Sequence, residues 1–153
     1  MNKVWMYVII IVSIIIIGFI GYKIKETLLP YDPKIDELKR KLLLVHPRTS
    51  EIKFYHDKKS YTINKQDMYL CVKDEHGDYY DENMLMYAAL HELAHVLCDE
   101  IGHTDKYWAI FDETLDKASK TIDPNSGLPV YDPNGKINPY YCESRYHNYD
   151  DNS

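Results

Sequence analysis

The sequence predicts an α+β domain carried behind one N-terminal membrane-spanning helix, and three observations predict it. Residues 4–22 (VWMYVIIIVSIIIIGFIGY) hold no charge. After them come one segment of helical period, three short segments rich in β-branched and aromatic residues, and two more segments of helical period. From Asn125 onward the chain is dense in Pro, Gly, Asn, Asp and Tyr. The 153 residues therefore divide into an anchor with its flanks (1–25), one small domain (26–122) and a loop-rich tail (123–153).

At about 1.5 Å of helical rise per residue, the uncharged run is long enough to cross a hydrocarbon core of roughly 30 Å. A cleaved signal peptide has a shorter apolar region, of roughly 7–15 residues, and a small-residue cleavage site. Gly21-Tyr22-Lys23 makes a poor one. Lys3 and the amino terminus precede the span, while Lys23, Lys25, Lys34, Lys39, Arg40 and Lys41 follow it, a distribution that favours the cytoplasm for the domain. Cys71, Cys98 and Cys142 are an odd set without close spacing, which argues against a disulfide framework and fits a reducing compartment.

The first helix of the domain starts at Asp32 as N-cap with Pro33 at the first helical position. Ile35, Leu38, Leu42 and Val45 recur on one face, and the helix stops before His46-Pro47. Glu51–His56, Ser60–Asn64 and Met68–Lys73 read as three short strands of an antiparallel sheet. The turn-forming cluster Asp74–Asp78 follows, and Asp81 caps a helix from Glu82 to about Ile101 that is apolar on most of its circumference, with Gly102 as its stop. Thr104 caps a last helix reaching about Ile122, with Tyr107, Trp108, Phe111, Leu115, Ala118 and Ile122 on one face. Asp123-Pro124 ends it. The tail reads as loops wrapped on the domain with a disordered end.

Without the anchor and its flanks, 15 basic residues face 24 acidic ones, a formal charge of −9. Nucleic-acid binding neutralises phosphates with clustered Lys and Arg, so this balance gives a DNA or RNA partner no electrostatic support.

The segment that carries chemistry is His91-Glu92-Leu93-Ala94-His95. Residues four apart lie one turn above one another on a helix, so His91 and His95 can present two imidazoles to one zinc ion. Glu92, one position along, is angled to take a proton from a zinc-bound water rather than to coordinate. Leu90, Leu93, Ala94, Val96 and Leu97 are apolar, so this helix can be buried while the histidines face a cleft. Catalytic zinc usually has three protein ligands and an open fourth position. His103, straight after the reversal that Gly102 permits, is the first choice for the third ligand. Glu113 on the following helix is the alternative, and Cys98 a further one that also suits a core position. His46, His56 and His76 read as solvated.

Leu90-His91-Glu92-Leu93-Ala94-His95, followed by Gly102-His103 and Tyr107-Trp108, resembles the compact zincin metallopeptidases of the WLM, SprT-like and YgjP-like families. The likeness spans roughly residues 32–122. It implies a minimal fold of a helix and three strands before the motif helix, with a third histidine opening an aromatic helix. The His95-to-His103 spacing is longer than the WLM pattern and shorter than the SprT pattern. Peptide hydrolysis is implied, with Zn2+ as cofactor, Glu92 as the base and a protein or peptide as substrate. In such enzymes the substrate lies extended along the edge of the sheet, which by position implicates Met68–Lys73. Tyr140, Tyr141, Tyr146 and His147 are the tail's candidates for stabilising the oxyanion. Two other functions fit the chain as expectations: a catalytically inactive zincin-fold interaction protein at a membrane, and a DNA-dependent repair protease, which the acidic charge opposes.

Overall fold

Two compact units, Met1–Pro30 and Tyr31–Ser153, make up the chain. The computed structural model describes residues 3–27 and 31–143. In the first unit, α1 (Lys3–Thr27) leaves its apolar side chains exposed through Ile24, and its Lys3–Ile24 segment is long and apolar enough to cross a membrane.

In the second unit, α2 (Pro33–Val45) starts as the sequence predicts, with the Asp32 carboxylate accepting from the Lys34 N–H at 2.9 Å. Its face of Ile35, Leu38, Leu42 and Val45 is buried, and the helix stops at His46. Strands β1 (Lys53–His56), β2 (Tyr61–Ile63) and β3 (Asp67–Leu70) form a sheet in the order β1-β3-β2. β2 pairs antiparallel with β3, but β1 pairs parallel with it, so the sheet is mixed rather than antiparallel throughout.

The reason lies in the two connections. Asn64 and Lys65 adopt φ of 51° and 56°, the left-handed pair that closes a tight hairpin between β2 and β3. The link across residues 57–60 instead skips one strand position, which β3 then fills. Side chains alternate as the pleat demands: Met68 and Leu70 are buried in the core, while Tyr55, Tyr69 and Tyr61 stack on the other face at centroid distances of 4.9 and 4.6 Å.

Asp81 caps α3 (Glu82–Leu97) by accepting from the Asn83 and Met84 N–H groups at 2.9 and 3.4 Å. The helix ends four residues before the predicted Ile101. Asp99 and Glu100 would set two carboxylates against the negative end of the helix dipole. In the observed turn Asp99 pairs with Lys106 at 2.6 Å, and Glu100 accepts from the Thr104 hydroxyl. Gly102 sits at φ 85°, a backbone that side chains disfavour, and lets the chain reverse into α4 (Asp105–Lys120). Thr104 caps that helix, and Tyr107, Phe111, Thr114 and Ala118 are buried along it. Ile122, predicted on this face, falls beyond the helix end and is exposed.

As far as it is described, the tail packs on the domain through the following contacts. Asp123 is buried and receives both guanidinium arms of Arg40, at 2.6 and 2.9 Å. Asn83 exchanges two hydrogen bonds with the Asp132 backbone, at 2.9 and 2.7 Å. Cys142 forms a disulfide with Cys71, which runs against the expectation that this odd, widely spaced set of cysteines forms no disulfide and sits in a reducing compartment. A sequence separation of 71 hides the pair, because only the return of the tail to the end of β3 brings the two thiols together. Cys98 remains a free, buried thiol. The disordered end expected of the tail lies outside the described residues, which stop at 143.

Candidate metal centre

Three histidines converge where α3, the Gly102 reversal and α4 meet. His91 and His95 project from one face of α3, one turn apart, and the reversal returns His103 to them. The Nε2 atom of His103 lies 3.1 Å from Nε2 of His95 and 3.1 Å from Nε2 of His91. Among the described residues these three form a group able to hold a metal ion, with their ligand atoms all within 4.8 Å of one another. Tetrahedral ligands at 2.0–2.1 Å from zinc sit about 3.3 Å apart, so the observed convergence fits a small ion.

Aromatic residues of α4 hold the imidazoles in place. His95 stacks on Tyr107 with centroids 4.3 Å apart, and His103 stacks on Trp108 at 5.4 Å. Tyr107 is fully buried and donates its hydroxyl to the His91 carbonyl at 3.2 Å. His91 also packs edge-on against Phe111 at 5.3 Å.

Burial, reinforced by the neighbouring His95 and His103, pushes the His91 imidazole down to about 3. Burial, together with His103 and Lys65, pushes His95 down to about 4, and burial lowers His103. All three are thus neutral near pH 7, the state that ligates metal. Glu92 is 4% exposed, and burial raises its carboxyl to about 7 against the opposing hydrogen bond from Thr62. That bond runs from Thr62 Oγ1 to Glu92 Oε2 at 2.9 Å. A cleft of about 690 Å³ opens over the site, lined by His91, Glu92, His95 and His103 together with Ser60–Thr62, Asn64, Lys65, Glu100–Gly102 and Trp108.

The other sequence candidates are not brought to this site. Glu113 is exposed and lies near His46, whose imidazole burial and Lys117 push down against an opposing pull from Glu113. Cys98 lies outside the histidine group, and its carbonyl accepts from Lys65. His76 is exposed as predicted, whereas His46 and His56 are half-buried, and His46 Nδ1 accepts from the Arg48 N–H at 3.1 Å. β3 (Asp67–Leu70) is the central strand of the sheet, so the strand part of the predicted Met68–Lys73 segment offers no free edge. The edge strand that lines the cleft is β2. Tyr140 is exposed away from the cleft lining. Tyr141 is buried with its hydroxyl committed to the Cys71 carbonyl and to Ser60, so neither tyrosine stands at an oxyanion position. Tyr146 and His147 lie outside the described residues.

No family model matches the chain, and no solved structure matches it significantly. It is similar to three curated viral proteins. Uncharacterized protein 136R of Invertebrate iridescent virus 6 is 48% identical over 98 residues, 62% of this chain and 51% of that protein. Uncharacterized protein 042R of Invertebrate iridescent virus 3 is 42% identical over 94 residues, 61% of this chain and 55% of that one. Uncharacterized protein R325 of Acanthamoeba polyphaga mimivirus is 43% identical over 54 residues, 34% and 27% of the two chains. The chain spans about half the length of the first two. None of these names carries an activity.

Thr62 and Tyr107 are the site residues whose roles the sequence does not announce. Thr62 reaches Glu92 across 30 positions, and no local pattern marks such a contact. Tyr107 is legible as an apolar-face residue of α4, but not as the support of His91 and His95.

Proposed function

We propose that the domain is a zinc-dependent metallopeptidase held at a membrane by α1. The observation that carries this reading is the convergence of the His91, His95 and His103 Nε2 atoms beside a buried Glu92 carboxylate in one open cleft. Zinc bound there would supply a Lewis acid for the peptide carbonyl and acidify its water towards a pKa of about 7. Beside it, Glu92 would serve as the general base and then as the proton donor to the leaving nitrogen. Its buried setting keeps its basicity well above that of an exposed carboxylate. The three neutral imidazoles would hold the metal, and Tyr107 and Trp108 stack on two of their rings. An extended segment of a protein substrate pairs with the β2 edge, which borders the same cleft.

The lysines after the apolar run favour the cytoplasmic side for the domain. The Cys71–Cys142 disulfide opposes that side, because disulfides persist in oxidising compartments. The formal −9 of the chain beyond residue 25 directs the activity to protein rather than DNA.

Glu92→Gln tests the reading. The full-length chain carrying it should bind zinc as the native chain does and cleave no unfolded protein substrate. Cleavage equal to that of the native chain would remove Glu92 from the chemistry.

A further inference from the structure

Strand β2 contributes more to the cleft than an edge. Its residues alternate: Tyr61 stacks on Tyr69 on the outer face of the sheet, and Thr62 pairs with the buried Met68 and faces the core side, towards α3. Thr62 Oγ1 lies 2.9 Å from Glu92 Oε2 and 3.4 Å from the Glu92 carbonyl, so its single proton goes to the nearer carboxylate oxygen. The neighbouring donors have other partners. Ser60 is engaged with Tyr141 and with the Cys71 N–H, Tyr61 donates to Asp57 at 2.6 Å, and Lys65 donates to the Cys98 carbonyl.

From this geometry we infer that Thr62 is a positioning residue that holds one oxygen of the Glu92 carboxylate on the sheet and leaves the other for proton transfer. The inference rests on the metallopeptidase reading, in which Glu92 is the base. A carboxylate has two equivalent oxygens and free rotation about its terminal bond. One charge-assisted hydrogen bond to a strand fixes both the rotamer and the oxygen that faces the cleft. The bond also joins the base to the strand that borders the substrate, so an extended peptide pairing with β2 would register against the same element that sets the base.

Two variants of the full-length chain separate the hydroxyl from the shape of the side chain. Thr62→Val keeps the shape and removes the donor, whereas Thr62→Ser keeps the donor. With zinc loaded, Thr62→Val should lower kcat about ten- to a hundredfold while KM and zinc content stay near native, as expected for a misplaced group. Thr62→Ser should stay within about threefold of native kcat. A second readout needs neither metal nor activity. In the metal-free chain Thr62→Val should lower Tm by about 5 °C beside Glu92, and by no more than about 1 °C in the Glu92→Ala background, where the bond has no acceptor. Equal Tm shifts in the two backgrounds, or native kcat in Thr62→Val, would overturn the inference. If the native chain cleaves nothing, the metallopeptidase reading fails by itself, and the melting cycle still decides whether Thr62 holds Glu92.

Discussion

The Tyr107 hydroxyl donates to the His91 carbonyl at 3.2 Å, so the helix that follows His103 is keyed to the helix that carries His91 and His95. The same ring lies 4.3 Å from His95 and 4.7 Å from His103. One buried side chain therefore touches all three imidazole-bearing residues. Tyr107→Phe removes only the hydrogen bond and should cost about 1 kcal/mol of stability. Tyr107→Ala leaves a cavity beneath the histidines and should cost about 3–5 kcal/mol, with zinc affinity falling about ten- to a hundredfold. Thermal unfolding of the metal-free chain and chelator competition measure the two effects.

The third ligand is decided by parallel substitutions. His103→Ala should lose stoichiometric zinc, because two imidazoles alone remain at the site. Glu113→Ala should retain one zinc per chain, since Glu113 is exposed and electrostatically coupled to His46. Zinc content measured by elemental analysis of both variants gives the answer, and the reverse pattern would move the site.

Stability of the metal-free chain should carry the mark of Glu92 in its pH dependence. Burial raises this carboxyl from 4.5 to about 7, so the folded state binds the proton more tightly than the unfolded state across that window. The contribution of Glu92 to stability is therefore lost as pH rises through it. At pH 8 the buried, ionised carboxylate costs about 3 kcal/mol. Glu92→Gln should melt several degrees above the native chain at pH 8 and alongside it at pH 4. A constant difference across the range would contradict the burial argument.

Reducing the Cys71–Cys142 bond should free the tail and lower stability. Closing a loop across 71 positions removes unfolded-state entropy worth about 4 kcal/mol. Cys71→Ser should reproduce the effect of a reductant, and adding reductant to that variant should change Tm no further. Alkylation of unreduced, denatured protein should label Cys98 alone.

Local rules carried the fold where they govern it. Asp32, Asp81 and Thr104 each cap a helix, and the HELAH spacing lies on one, because capping and helical periodicity are decided within four residues. The parallel pairing of β1 with β3 was not legible, since three short apolar segments specify strands without specifying neighbours. The end of α3 at Leu97 turned on the charges of Asp99 and Glu100, which outweighed the apolar run towards Ile101. His103 could be named because a glycine reversal precedes it. Thr62, the Cys71–Cys142 pair and the occupied hydroxyl of Tyr141 could not, because each depends on segments at least 30 residues apart meeting in the folded chain.

The zinc-edge X-ray absorption spectrum of the full-length chain tests the centre most directly. One zinc with three imidazole nitrogens at about 2.0–2.1 Å and one further oxygen is the expected result. A chain that binds no zinc, or a spectrum with a sulfur ligand at about 2.3 Å from Cys98, would contradict it.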